Sequence, residues 1–168
     1  MPAIASGQVD IGLLYTPVSL RAVSVEPVLE DRLVLATPQG EGVQGPVDVR
    51  DLTDRELYLP SRDHSVRRTI DSAFYQRNVF PSIAGEIDSV HTLLEVVGGG
   101  LGSTIMPRSA FPGAQVASGV SLHELGEHMP PLSLALCTAR DYSLSETANV
   151  VRMFIVERLA SMFRESDR

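Results

Sequence analysis

The stretch Gly85 to Pro107, GEIDSVHTLLEVVGGGLGSTIMP, reads as a strand, a helix and a second strand with almost nothing between them. Its helix opens after Asp88 or Ser89, either of which can cap it. Val90, Leu93, Leu94 and Val97 then recur at the spacing of one buried helical face. Gly98, Gly99 and Gly100 end it, because at least one of them can take the left-handed conformation that closes a helix C-terminus. Residues 103–106 are few and apolar enough to re-enter a sheet. So tight a unit implies a parallel sheet, in which ligands sit beyond the carboxyl ends of the strands, where helix N-termini point. The residues there are Asp88, Ser89, His91 and Thr92. Their unpaired amides suit an anionic or polar ligand, although Ser89 also has the plainer reading of a helix cap.

Working outward, residues 81–88 are the strand that enters this unit, and residues 56–60 are an earlier strand that opens at Ser61 onto a second helix. Val66, Ile70, Ala73 and Phe74 mark that helix's apolar stripe, with Arg67, Arg68, Asp71 and Gln76 off it. Ser61, Asp63 and Ser65 are its capping candidates and Asn78 its stop. Two strand-to-helix turns, at 61–65 and 88–92, thus leave one sheet, and their helix N-termini can converge on one ligand.

Upstream, VDIGLLY (9–15) is nearly continuous in apolar residues, as in a strand covered on both faces, and Thr16-Pro17 ends it. Residues 1–9 leave no room for a preceding element. Residues 26–37, opened by Pro27, carry a second apolar strand at 33–37, and 48–52 form a short helical turn. Downstream, 108–131 reads as a connector containing a short strand at 120–125. The apolar run 132–137 is expected to pair with 33–37 as a two-stranded hinge. Ser143 and Glu146 have capping-box spacing before a last helix whose wide apolar face is Val150, Val151, Phe154, Ile155, Leu159 and Met162. The expected lobes are 1–36 with 138–168, and 37–137.

The chain has 168 residues, 43% of them hydrophobic, enough for one good core or two small lobes. Its net charge of −7 and pI near 5.0 argue against a nucleic-acid-binding surface on this chain. All 14 basic residues are arginine, which excludes Schiff-base chemistry and favours forked recognition of carboxylates or phosphates. The single Cys137 lies in an apolar run and reads as a buried structural thiol in a reducing compartment. With no export signal and no membrane-length segment, a cytoplasmic location is expected.

The catalytic and metal motifs fail on spacing. In HELGEH (123–128) the histidines are five apart across a glycine, not four apart on a helix face, so a solvated loop is expected. The glycines at 98–102 follow their helix, whereas a dinucleotide loop precedes one. His64 and Ser65 are adjacent, point apart and have no third group to orient the histidine. No catalytic residue, metal or cofactor is assigned.

The series VDIGLLY, EDRLVLATP, LYLPSRDHSVRRTIDSAF, GEIDSVHTLLEVVGGGLGSTIMPRSA and PPLSLALCTARDYSLSETANVV resembles the effector-binding domain of LysR-type transcriptional regulators, and within them the nitrogen assimilation control branch. The resemblance covers nearly the whole chain. It implies a type II periplasmic-binding-protein-like α/β fold, with two lobes joined by two crossing strands and a small-molecule effector in the cleft. It also implies oligomerisation and DNA binding through a separate helix-turn-helix. In position, the family's cleft residues correspond to Ser61, Arg62, His64 and Ser65 on one turn and Ser89 and His91 on the other, with Tyr15 and Thr37 near the hinge. The first strand, helix and second strand of the family's first lobe have no counterpart here. That lobe is therefore expected to be incomplete and to invite a homodimer or larger oligomer.

The expected function is the effector-sensing, oligomerising part of a transcription regulator. The alternatives are a stand-alone solute-binding protein of the same fold, which an upstream export signal would favour, and an enzyme on this fold, which would need a convergent acid–base set.

Overall fold

The computed structural model describes residues 2–15, 21–111 and 119–166, the last five of these by their backbone alone. The expected strand stop at Thr16-Pro17 and the side chain of Met162 lie outside the described residues. In chain order the elements are α1 (Pro2–Ala5), β1 (Ile11–Tyr15), β2 (Val23–Asp31), β3 (Leu33–Pro38), β4 (Glu56–Leu59), α2 (Ser65–Gln76), β5 (Ser82–Glu86), α3 (Val90–Gly98), β6 (Thr104–Pro107), β7 (Val120–Glu124), β8 (Leu132–Ala139) and α4 (Glu146–Ser166). Short 3-10 turns at Val49–Leu52 and Arg108–Ala110 complete them. The chain divides into two units, Met1–Glu30 with Ser133–Arg168, and Asp31–Leu132. The divisions fall in β2 and β8, earlier than the expected 36/37 and 137/138.

In the second unit β3 is central, antiparallel to β6 and to β7. β4 and β5 run parallel, and a parallel bridge from Leu57 to Ser103 joins them to the start of β6. β5 and β6 are therefore not neighbours; both run parallel to β4, as the expected parallel sheet has it, and β3, antiparallel to β6 and β7, makes the whole mixed. Val34, Ala36, Met106 and Val120 pack with Leu93 and Val97 of α3 in one core cluster. The α2 stripe of Val66, Ile70, Ala73 and Phe74 is buried as its period requires.

Both helices close through left-handed residues. After α3, Gly100 has φ 76°, its amide bonds Val97 O at 3.0 Å and the Leu101 amide bonds Val96 O at 3.1 Å. After α2, Asn78 takes φ 54°, with Asn78 N–H to Tyr75 O and Val79 N–H to Phe74 O, each 3.0 Å. The 3-10 turn at Val49–Leu52 carries a full capping box from Asp48 and Asp51.

In the first unit the strand order is β1-β8-β2, with β1 antiparallel to β8. The expected hinge pair is corrected here. β3 pairs with β6 and β7, whereas the partner of β8 on its second side is β2, so the two strands that cross between units are β2 and β8. Pro27 sits within β2 rather than opening it; among the described residues β2 is an edge strand, which tolerates proline on its unpaired side. β1 is half-buried, not covered on both faces, and Leu13 is exposed. Residues 2–5 form a helical turn that lays Ile4 over Ala135 and Cys137, the buried thiol. The cap of α4 is Ser145, whose Oγ accepts the Ala148 amide at 3.1 Å, not Ser143. Much of the apolar face of α4 is exposed, including Val150 and Phe154.

Candidate functional site

Because β4 and β5 are parallel, both end at one edge of the second unit, and each feeds a helix there. The Ile87 amide donates to Leu59 O at 2.9 Å, carrying the ladder up to the turns. One residue on, Asp88 Oδ1 accepts the Ser61 amide at 2.8 Å and lies 3.3 Å from His64 Nε2. The Asp88 carboxyl is held below the usual carboxylate range, first by the Ser61 backbone amide and then by the Ser61 side chain; burial opposes them, and the charge of His64 adds the smallest effect. The turns at 61–65 and 88–92 are therefore side by side, tied by a charge-assisted hydrogen bond.

Beneath them lies Arg67, which its place off the apolar stripe marked as a surface residue but which is 2% exposed. Its Nε bonds Asp71 at 2.8 Å, and its Nη1 bonds Pro60 O and Glu86 Oε1, each at 2.9 Å. Burial by itself lowers its pKa, but the bonds and charges of Asp71 and then Glu86 prevail and hold the guanidinium above its ordinary value. One planar side chain thus pins the end of β4, the end of β5 and the first turn of α2 together. Glu86 Oε1 also stands 3.9 Å from Arg62 Nε.

Of the expected site residues, the structure gathers Ser61, Arg62, His64, Ser65 and Ser89 around these turns. The cap of α2 is none of Ser61, Asp63 or Ser65. It is His64, whose side chain makes no capping bond, and Ser65 is the first helical residue. The Ser89 hydroxyl caps α3, accepting the Thr92 amide at 3.3 Å. His91 is exposed on the first turn of α3. Tyr15 is half-buried at the end of β1 and belongs to the first unit.

Thr37 stands apart from the turns. It is fully buried, and the sheet register places it at the opposite end of the second unit from Ser61, since β6 leads from the Leu57 bridge toward Pro107, which pairs with Leu33. Its hydroxyl is 2.9 Å from His123 Nε2. His123 is not in a solvated loop but in β7, and burial, then the nearby Arg55, push its pKa down while Glu41 opposes them. His128 lies against the Arg77 guanidinium, with Asp48 at 3.9 Å, so the two histidines have separate partners. A shallow cavity of about 330 Å³ at 41–55 has its one arginine, Arg55, already paired with Glu41 at 2.6 Å. Among the described residues, no group of three or more His, Cys, Asp or Glu side chains is placed to hold a metal ion.

Arg67 and Glu86 are the residues the sequence reading undervalued, and Asp88 was read as a cap or ligand residue and not as the tie between the turns. The i,i+4 spacing of Arg67 and Asp71 was a legible signal of an ion pair. Nothing local marks Glu86 as the partner of Arg67, 19 residues earlier, or Asp88 as the partner of Ser61, 27 residues earlier.

A family model described as the LysR substrate binding domain matches residues 1–160. The nitrogen assimilation regulatory protein nac of Klebsiella aerogenes is 28% identical over 153 residues, which are 91% of this chain and 50% of that protein. The chain spans about half the length of the curated relatives it matches. Among solved structures, the effector binding domain of QuiR in complex with shikimate aligns with a TM-score of 0.81 at 18% identity, over 94% of this chain and 75% of that one. The Synechocystis PCC6803 CcmR regulatory domain in complex with 2-PG aligns at 0.83 and 13% identity, over 93% and 76%. At such identities the likeness is one of fold.

Proposed function

Because the chain belongs to the LysR substrate-binding domain family, we propose that it is the effector-sensing and oligomerising part of a LysR-type transcription regulator, and not an enzyme. The reading places it in the cytoplasm, and gives DNA contact to a helix-turn-helix elsewhere in the parent protein. Its ligand is a small polar or anionic metabolite, held at the turns 61–65 and 88–92 of the second unit. An effector that prefers one arrangement of the units shifts their population and so the packing of subunits on DNA.

The observation that carries this reading is the Ser61–Asp88 hydrogen bond, which brings two helix-opening turns side by side with hydroxyls at Ser65 and Ser89. Fold relatives that hold shikimate and 2-PG support it. Calorimetry of the full-length protein against a panel of polar and anionic metabolites tests it. Ser65→Ala is expected to weaken the binding so found by about 1 kcal/mol, as for one lost hydrogen bond. Ser89→Trp, which fills the space over the turn, is expected to abolish it with the fold intact. Binding untouched by Ser89→Trp would remove the site from these turns.

A further inference from the structure

At the start of β4, the opposite end of that strand from the turn at 61–65, a cavity of about 330 Å³ opens among the loop that follows β3, the 3-10 turn at Val49–Leu52 and Arg55. That volume is at the low end of the roughly 300–1,000 Å³ of small-molecule sites. Arg55, one residue before β4, lines it with a side chain that is only 26% exposed. The guanidinium uses one of its three nitrogens on the protein, Nη1 lying 2.6 Å from Glu41 Oε2 and 3.5 Å from Ser103 Oγ. Among the described residues Nε and Nη2 donate to nothing. Those two nitrogens carry the parallel N–H groups that hold a carboxylate in a fork.

A simple anion does not suit the place. Glu41 and Asp51 line the same cavity, so two carboxylates stand against one guanidinium. Each keeps an oxygen unbonded among the described residues, since Glu41 meets Arg55 through Oε2 and Asp51 accepts the Asp48 amide through Oδ2 at 3.3 Å. A simple cation would find those oxygens but also the charge of Arg55. Val43, Pro46 and Val47 add an apolar wall. The lining is therefore matched by a carboxylate, an ammonium and a small apolar group in one molecule. We propose that this cavity is a second ligand site, for a small apolar α-amino acid, with its carboxylate on Nε and Nη2 of Arg55 and its ammonium on Glu41 and Asp51. His123 borders the same group, because the charges of both Arg55 and Glu41 reach its ring. The site is separate from the turns and does not depend on the function proposed for them.

In the test the whole chain is titrated with L-leucine and, separately, with isovalerate and isopentylamine, which carry one charged group each, while the histidine ring signals are followed by NMR. L-Leucine is expected to move the His123 signals and to leave those of His91, exposed on the first turn of α3, in place. Each single-charge probe is expected to bind roughly tenfold more weakly, having lost one charge-assisted contact. Arg55→Lys keeps the charge and loses the fork, and is expected to weaken leucine binding roughly tenfold. Glu41→Gln, on an exposed loop, is expected to weaken it roughly threefold, as for one exposed charge pair. No movement at His123, movement at His91 instead, or isovalerate binding as tightly as leucine would overturn the inference. So would tighter leucine binding in Glu41→Gln, which would make Glu41 a plug on Arg55 and not a partner of the ligand. If Arg55→Lys does not fold, Glu41→Gln and the two single-charge probes decide the matter.

Discussion

Arg67 shows how one residue sets the geometry of both turns. Its three bonds end on α2, on the last residue of β5 and on the carbonyl that follows β4. Hydrogen bonds from a charged group contribute about 1.5–3 kcal/mol each at most, less here because Asp71 and Glu86 are half exposed, and part of that is offset by the cost of burying the guanidinium. Arg67→Met keeps the apolar stem and removes the fork. It is expected to lower stability by about 2–3 kcal/mol, read as a lower urea midpoint with an unchanged slope. The Ser61 amide should lose hydrogen-exchange protection in the same variant, since the carbonyl of Pro60 would no longer be held. A midpoint within error of the wild type would show that Glu86 and Asp71 merely find the arginine where packing has already put it.

At the scale of elements, the helices α2 and α3 were legible because period and stop residues agree. The stripes of Val66, Ile70, Ala73, Phe74 and of Leu93, Val97 are buried, and Asn78 and Gly100 close the ends as a left-handed residue must. The pairing of strands was not legible. β3 and β8 are equally apolar, and no local signal tells a central strand of one unit from the crossing strand of the other. The positions of Ser61, Ser65 and Ser89, where strands become helices, were legible. That of Thr37 was not, because its burial follows from a partner, His123, found 86 residues later.

Gly102, ahead of β6, makes the strand contacts testable. A Cβ there would stand 2.7 Å from Glu56 O and 3.0 Å from the Tyr58 ring, at the bridge that joins β4 to β6. Gly102→Ala is expected to cost about 1–3 kcal/mol in thermal or urea unfolding, as overpacking does. Gly42→Ala, with nothing within 4 Å of its Cβ, serves as the neutral control. Equal effects from the two would mean that the close approach at Gly102 is not needed to seat β4 on β6.

For the whole molecule, the two units differ in how well they cover their own apolar surface. The second buries Leu35, Leu57, Ile70, Leu93 and Ile105 completely or nearly so. In the first, β8 is the one strand partner of β1 among the described residues, and α4 exposes Val150, Met153 and Phe154 at 65–67%. An open strand edge and an exposed apolar helix face each favour association. The chain is expected to be a homodimer or larger at micromolar concentration, and light scattering that returns a monomer mass without aggregation would contradict this. The central claim, that the two tied turns receive the effector, is tested most directly by hydrogen exchange on the full-length regulator with and without the metabolite that calorimetry selects. Amides of 61–65 and 88–92 are expected to gain protection on binding. Protection that appears elsewhere in the second unit, with these turns unchanged, would contradict the account.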